Sequence, residues 1–190
     1  MARKRTDFIV IHCSATPEEM DIGWKEIDRW HRAKGWRMGG YHHVIRRDGS
    51  IEKGRDVTAQ GAHAKGYNHK SVGICLVGGV EPDGKTPEDN FRAPQITQLV
   101  ALLKRLRGMY PSARIIGHNE ISSGKACPSF SVQERLKEWN LEQPKEDDLV
   151  DDEATNIAKA LNERGWLTTK ASLRSVSWLI RSGWHVTSKT

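Results

Sequence analysis

In "GHNEISSGKACPSF", residues 117–130, His118, Lys125 and Cys127 share a short loop rich in glycine and serine. A thiol in such polar surroundings has no apolar run to pack into, so ligation is the better reading for Cys127. Cys75, inside "GICLVGG", has the opposite surroundings and reads as core. His12 stands near the end of the apolar stretch "DFIVIHCSA" (7–15), where a polar side chain is placed to open into a cleft. Together, His12, His118 and Cys127 make a candidate zinc set. Two imidazoles and a thiolate suit zinc, and three protein ligands leave a fourth position for water, which is the catalytic arrangement. No compact Cys-x-x-Cys or His-Glu-x-x-His spacing supports the set, so the spacing alone is weak evidence. The other histidines have plainer readings. His31 lies on an amphipathic helix, His69 sits beside Lys70 and reads as exposed, and His185 is in the tail. Adjacent strand residues point to opposite faces, so only one of His42 and His43 can face a given site.

These side chains need elements to hold them. "DFIVIHCSA" reads as a buried strand, and "MDIGWKEIDRWHRAKGW" as a helix with Ile27, Trp30, His31 and Lys34 at helical spacing and Gly35 as its stop. "GYHHVIRRDGSIEKGR" has the form of a hairpin joined at Asp48-Gly49. "SVGICLVGGV" (71–80) is a central buried strand by its near-continuous apolar character. A Pro/Gly/Asp-rich loop follows. The helix "APQITQLVALLKRLRGMY" (93–110) carries the stripe Ile96, Leu99, Leu103 and Leu106. "ARIIGHNE" is another short strand and "SVQERLKEW" (131–139) a closing helix. Strands alternating with helices predict an α/β architecture, a central mixed β-sheet flanked by helices.

After Trp139 the character changes. Residues 140–153 are acidic and read as a linker, and residues 154–190 as a helical hairpin extension whose two helices each end in Gly-Trp. Trp166, Trp178 and Trp184 there either pack the hairpin or form a wall-binding face; packing is the preferred reading.

The chain has 190 residues, 37% hydrophobic and 28% charged, which describes one folded core with a small appendage. No apolar run approaches a membrane span, and "MARKRTDFIV" lacks the apolar core of a signal peptide, so cytoplasmic synthesis is expected. Three cysteines cannot all pair, and no disulfide framework is expected. A net charge of +6 suggests a polyanionic partner. Without a dense Lys/Arg run interleaved with aromatics, a nucleic-acid groove is disfavoured.

Four blocks then occur in order: "VIHCSAT", "GYHHVIRRDGSIEKGRD", "GAHAKGYNHKSVGICLVGG" and "KACPSF". From about residue 6 to 139 the chain resembles the T-odd phage lysozymes, zinc-dependent N-acetylmuramoyl-L-alanine amidases that share their fold with the peptidoglycan recognition proteins. The resemblance implies zinc ligands at His12, His118 and Cys127. It places two essential non-ligand residues at Tyr41 and Lys125, with His63 and His42 lining the substrate cleft. Read without the resemblance, Tyr41 is better taken as a packing aromatic and Lys125 as an ordinary solvated loop lysine, while His63 divides evenly between a hydrogen-bonded core histidine and a cleft residue. Two departures are visible, a loop from His118 to Cys127 about a residue longer and a shorter N-terminal segment. In some relatives that segment inhibits the phage RNA polymerase, and this second role is not extended here.

The implied function is that of an endolysin. It would hydrolyse the amide between N-acetylmuramic acid and L-alanine with a zinc-activated water, acting as a monomer on bacterial peptidoglycan after the membrane is breached. No nucleic-acid partner or membrane insertion is expected. The alternative is a recognition module that binds peptidoglycan without cutting it, for which a third metal ligand would be superfluous.

Overall fold

The computed structural model describes residues 2–144. The linker beyond residue 144 and the extension at 154–190 lie outside the described residues. The chain divides after Gln143, and the first unit, Met1–Gln143, holds every element below. These are β1 (Phe8–Cys13), α1 (Trp24–Ala33), β2 (His43–Ile45), β3 (Ile51–Lys53), β4 (Ser71–Leu76), α2 (Ala93–Met109), β5 (Arg114–Gly117) and α3 (Val132–Glu138).

The five strands form one mixed sheet in the order β3-β2-β4-β1-β5. β1 runs parallel to both β4 and β5, β2 runs parallel to β4, and β2 and β3 form the antiparallel hairpin. The crossovers β1→β2 and β4→β5 travel in opposite directions across the sheet. Right-handed connections therefore put their helices on opposite faces. The core divides accordingly. Ile9, Ile11, Ile74 and Leu76 pack with Leu99, Leu103 and Leu106 of α2 and Leu136 of α3. On the other face Ile27 of α1 packs with Val44, Cys75 and Val77, joined by Trp24, Trp30 and Tyr41. By strand alternation, Val10 and His12 share this second face with Ser71, Gly73 and Cys75. The apolar contacts of α1 fall on β2 and β4. The β1 end of the same face is covered by loops, and that is where the chemistry collects.

Most elements end where local chemistry predicts. Gly35, just past α1, has φ +83°, and Gly49 in the β2–β3 turn has φ +88°, with Asp48 Oδ1 accepting from the Ser50 amide at 2.8 Å. Ser131 caps α3 by accepting from the Glu134 amide. Two expectations are corrected. The fourth strand stops at Leu76 rather than running to Val80, because Gly78 and Gly79 turn the chain at φ +133° and +104°. A Cβ on Gly79 would lie 2.6 Å from Cys13 Sγ, so glycine permits this close approach. In the first turn of α2, Gln95 is the fully buried residue and Ile96 is only half-buried. The Gln95 amide donates to the carbonyls of Val77 at 2.9 Å and Ile45 at 3.3 Å, tying α2 to the ends of two strands. Gln95→Leu is expected to lose about 1–3 kcal/mol of stability by leaving buried carbonyl capacity unmet. Urea unfolding measures it, and an unchanged midpoint would refute this account.

Candidate active site

Strand β1 delivers His12 to the carboxyl end of the parallel sheet, the edge where α/β proteins bind ligands. Its ring is 1% exposed. β5 delivers His118, the first residue after Gly117, at the start of a single helical turn. Its ring centroid lies 4.5 Å from that of His12. Cys127 arrives on the glycine- and serine-rich loop at 117–130. That loop is pinned by Asn119 N–H donating to Cys127 O at 2.7 Å and by Ser129 Oγ–H donating to Gly79 O at 2.6 Å. Cys127 Sγ stands 3.9 Å from His12 Nδ1 and accepts the Cys13 amide at 3.2 Å.

One ligand atom from each of His12, His118 and Cys127 lies within 4.8 Å of the other two. Tetrahedral zinc, at its usual bond lengths to nitrogen and sulfur, separates such atoms by about 3.6 Å. The 3.9 Å between His12 Nδ1 and Cys127 Sγ already approaches this, so the donor set fits the metal in kind and in spacing. Electrostatics agree. Burial, then the neighbouring His63 and His118, push His12 well below the ordinary histidine value. Burial and then Lys125 lower His118. Both rings are neutral at pH 7, with lone pairs free for a cation. The hydrogen bond with the Cys13 thiol, followed by burial, pushes the Cys127 thiol up, so ligation would release its proton.

Tyr41 packs beside this set, its ring 5.1 Å from His12 and 5.6 Å from His31. Burial raises its phenol well above the ordinary value, and its hydroxyl contacts the Cys75 thiol. Lys125 is exposed on the ligand loop and close enough to act electrostatically on His118. A groove of about 400 Å³ opens beside the set, lined by Trp36, His63, Lys65, His118, Ile121 and Lys125 among others. Trp36 stacks on His31 at 4.4 Å between ring centroids yet remains 41% exposed at the groove.

Among the residues expected from the sequence, the structure gathers His12, Tyr41, His63, His118, Lys125 and Cys127. His42 is placed differently. Its ring is fully buried, Nδ1 accepts the Gly73 amide at 2.9 Å, and Nε2 donates to Ala59 O at 3.0 Å. No polar atom is left to meet a substrate, and its work is to join β4 to the 54–62 loop. Sequence reasoning missed Trp36 and Lys65 as groove residues. It also missed the approach of Cys13 to Cys127, which the polar tail of β1 alone could not reveal.

An α/β sheet with three possible metal donors and an adjoining groove at its carboxyl edge is an arrangement suited to metal-assisted hydrolysis. Residues 2–130 match the N-acetylmuramoyl-L-alanine amidase family, and the chain belongs to that family. It is similar to the endolysin of Klebsiella phage KP32, 48% identical over 137 residues, covering 72% of this chain and 87% of that one. The endolysin of Escherichia phage T7 is 47% identical over 137 residues, with the same coverage of each chain. Among solved structures, the endolysin amidase LysCS from Clostridium intestinale URNW superposes with a TM-score of 0.62 at 29% identity, covering 73% of this chain and 86% of that one. The chain is thus a peptidoglycan hydrolase of the amidase type, with the mixed sheet expected of it. No helix among the described residues is long and apolar enough to cross a membrane.

Proposed function

We propose that the chain cuts the amide between the lactyl group of N-acetylmuramic acid and the L-alanine of the stem peptide, with zinc held by His12, His118 and Cys127. The observation that carries this reading is the convergence of those three donors beside an accessible groove. Zinc, when bound there, supplies a water with pKa lowered toward about 7 and a Lewis acid for the scissile carbonyl. The Lys125 ammonium donates to the carbonyl oxygen as negative charge builds on it. Tyr41 remains protonated, so it serves as a hydrogen-bond donor that orients the attacking water or passes a proton toward the leaving nitrogen.

All three donors come from one chain, so the site needs no second copy to be complete, in keeping with action as a monomer. The net charge of +6 supports attraction to the carboxylates of stem peptides. Mass analysis of digested cell walls tests the reading. Free stem peptides beginning with L-alanine are expected, with loss of activity in chelator and recovery on adding zinc. New reducing sugar ends in place of free peptides, or turnover indifferent to chelator, would overturn it.

A further inference from the structure

His63 has a task that lining a groove does not explain. Its ring is 8% exposed and sits in a slot made by two glycines: a Cβ on Gly73 would lie 2.5 Å from His63 Cγ, and one on Gly61 would lie 2.5 Å from His63 Cδ2. Asn68 Oδ1 accepts the amides of His63 at 2.7 Å and Ala64 at 2.9 Å, fixing the backbone beneath the ring. The ring joins a chain of hydrogen bonds whose direction can be worked out from its far end. The Ser71 hydroxyl has one hydrogen, and Tyr67 O, 2.8 Å away, can only accept it. Ser71 Oγ must then accept from His63 Nε2 at 3.3 Å. A neutral imidazole carries one hydrogen, so His63 Nδ1 is left as an acceptor. The atom 2.9 Å from it is His12 Nε2, which must therefore be the donor. His12 consequently keeps its lone pair on Nδ1, the atom that faces Cys127 Sγ.

We infer that Ser71 and His63 form a directional relay that sets the tautomer of His12 and aims its Nδ1 lone pair at the metal position. His63 is thus a positioning residue, acting through His12 rather than on the substrate. A relay to a carbonyl does for this ligand what an outer carboxylate or carbonyl does for many metal-binding histidines. The inference rests on the proposed metal set only for its purpose, since the hydrogen-bond directions follow from protein atoms alone.

Two measurements test it. Long-range ¹⁵N–¹H spectra of the metal-free wild-type chain should show His12 and His63 both protonated on Nε2. Zinc affinity, read by competition with a chromogenic chelator, should fall about 10–100-fold in His63→Leu, the usual cost of losing such an outer partner. His63→Asn, whose Oδ1 can stand where Nδ1 stood, should restore most of that loss, which a purely space-filling role would not predict. A hydrogen on Nδ1 of His12 in the wild type would overturn the relay, as would wild-type zinc affinity in His63→Leu. If His63→Leu fails to fold, the wild-type spectra still decide. A wild type with the expected tautomers that takes up no zinc would instead sink the metal reading of the site and leave the hydrogen-bond order standing.

Discussion

Cys127→Ala is expected to fold, to hold no stoichiometric zinc, and to release no stem peptide from cell walls. The remaining donors, His12 and His118, are two neutral imidazoles, and two such ligands form no closed site for a cation that competes with water. The loss in affinity should exceed the about 10–100-fold that removal of an outer partner costs, because a ligand itself has gone. Folding should survive, since Cys127 lies on a loop that also holds through Ser129 and Asn119. Cys75→Ala is the control. That thiol is fully buried in the core beside Ile27 and Val44, so its loss should lower stability and leave zinc content near one per chain. Metal analysis after gel filtration reads both. Full zinc occupancy in Cys127→Ala would remove the thiolate from the site.

Lys125→Ala should show the opposite pattern, with metal retained and turnover lost. The side chain is exposed and belongs to no core cluster, so nothing in the fold depends on it. Its ammonium lies beside His118 at the groove, and in the proposed reaction it meets the amide oxygen as charge builds on it. Removing one such donor costs about 10²–10³ in kcat, or about 2.7–4 kcal/mol of transition-state stabilisation. Turbidity clearance measured alongside zinc content separates this from a ligand defect. A Lys125→Ala variant with wild-type turnover would end the assignment, and one lacking zinc would make Lys125 part of the metal grip instead.

Much of the frame could be read from the chain because buried parallel strands show as continuous apolar runs. β1 and β4 are such runs, and His12 stands out as the polar residue near the end of one of them. The loop at 117–130 was equally legible, since a cysteine among glycines and serines has no apolar reason to be there. Legibility stopped where meaning depends on a partner distant in sequence. Gln95 is absent from the apolar stripe read along α2, and only its amide contacts with the carbonyls of Val77 and Ile45 reveal its role. His42 and His63 both carry the look of cleft residues. Only the third dimension shows one spent on Gly73 and Ala59 and the other turned toward His12. Hydrogen-bond direction leaves no mark in composition or period, so neither role had a local signal.

His12 and Cys127 lie 115 positions apart, yet their side chains meet. An ion gripped by both would act as a clasp between the beginning and the end of the catalytic unit, fastening most of its length into a ring. Because the unravelled chain offers no such grip, zinc at a thousand times its dissociation constant would add about 4.1 kcal/mol against unfolding. Calorimetry with and without the ion reads that margin directly. The supply of zinc would then govern how long this protein lasts as well as how fast it cuts.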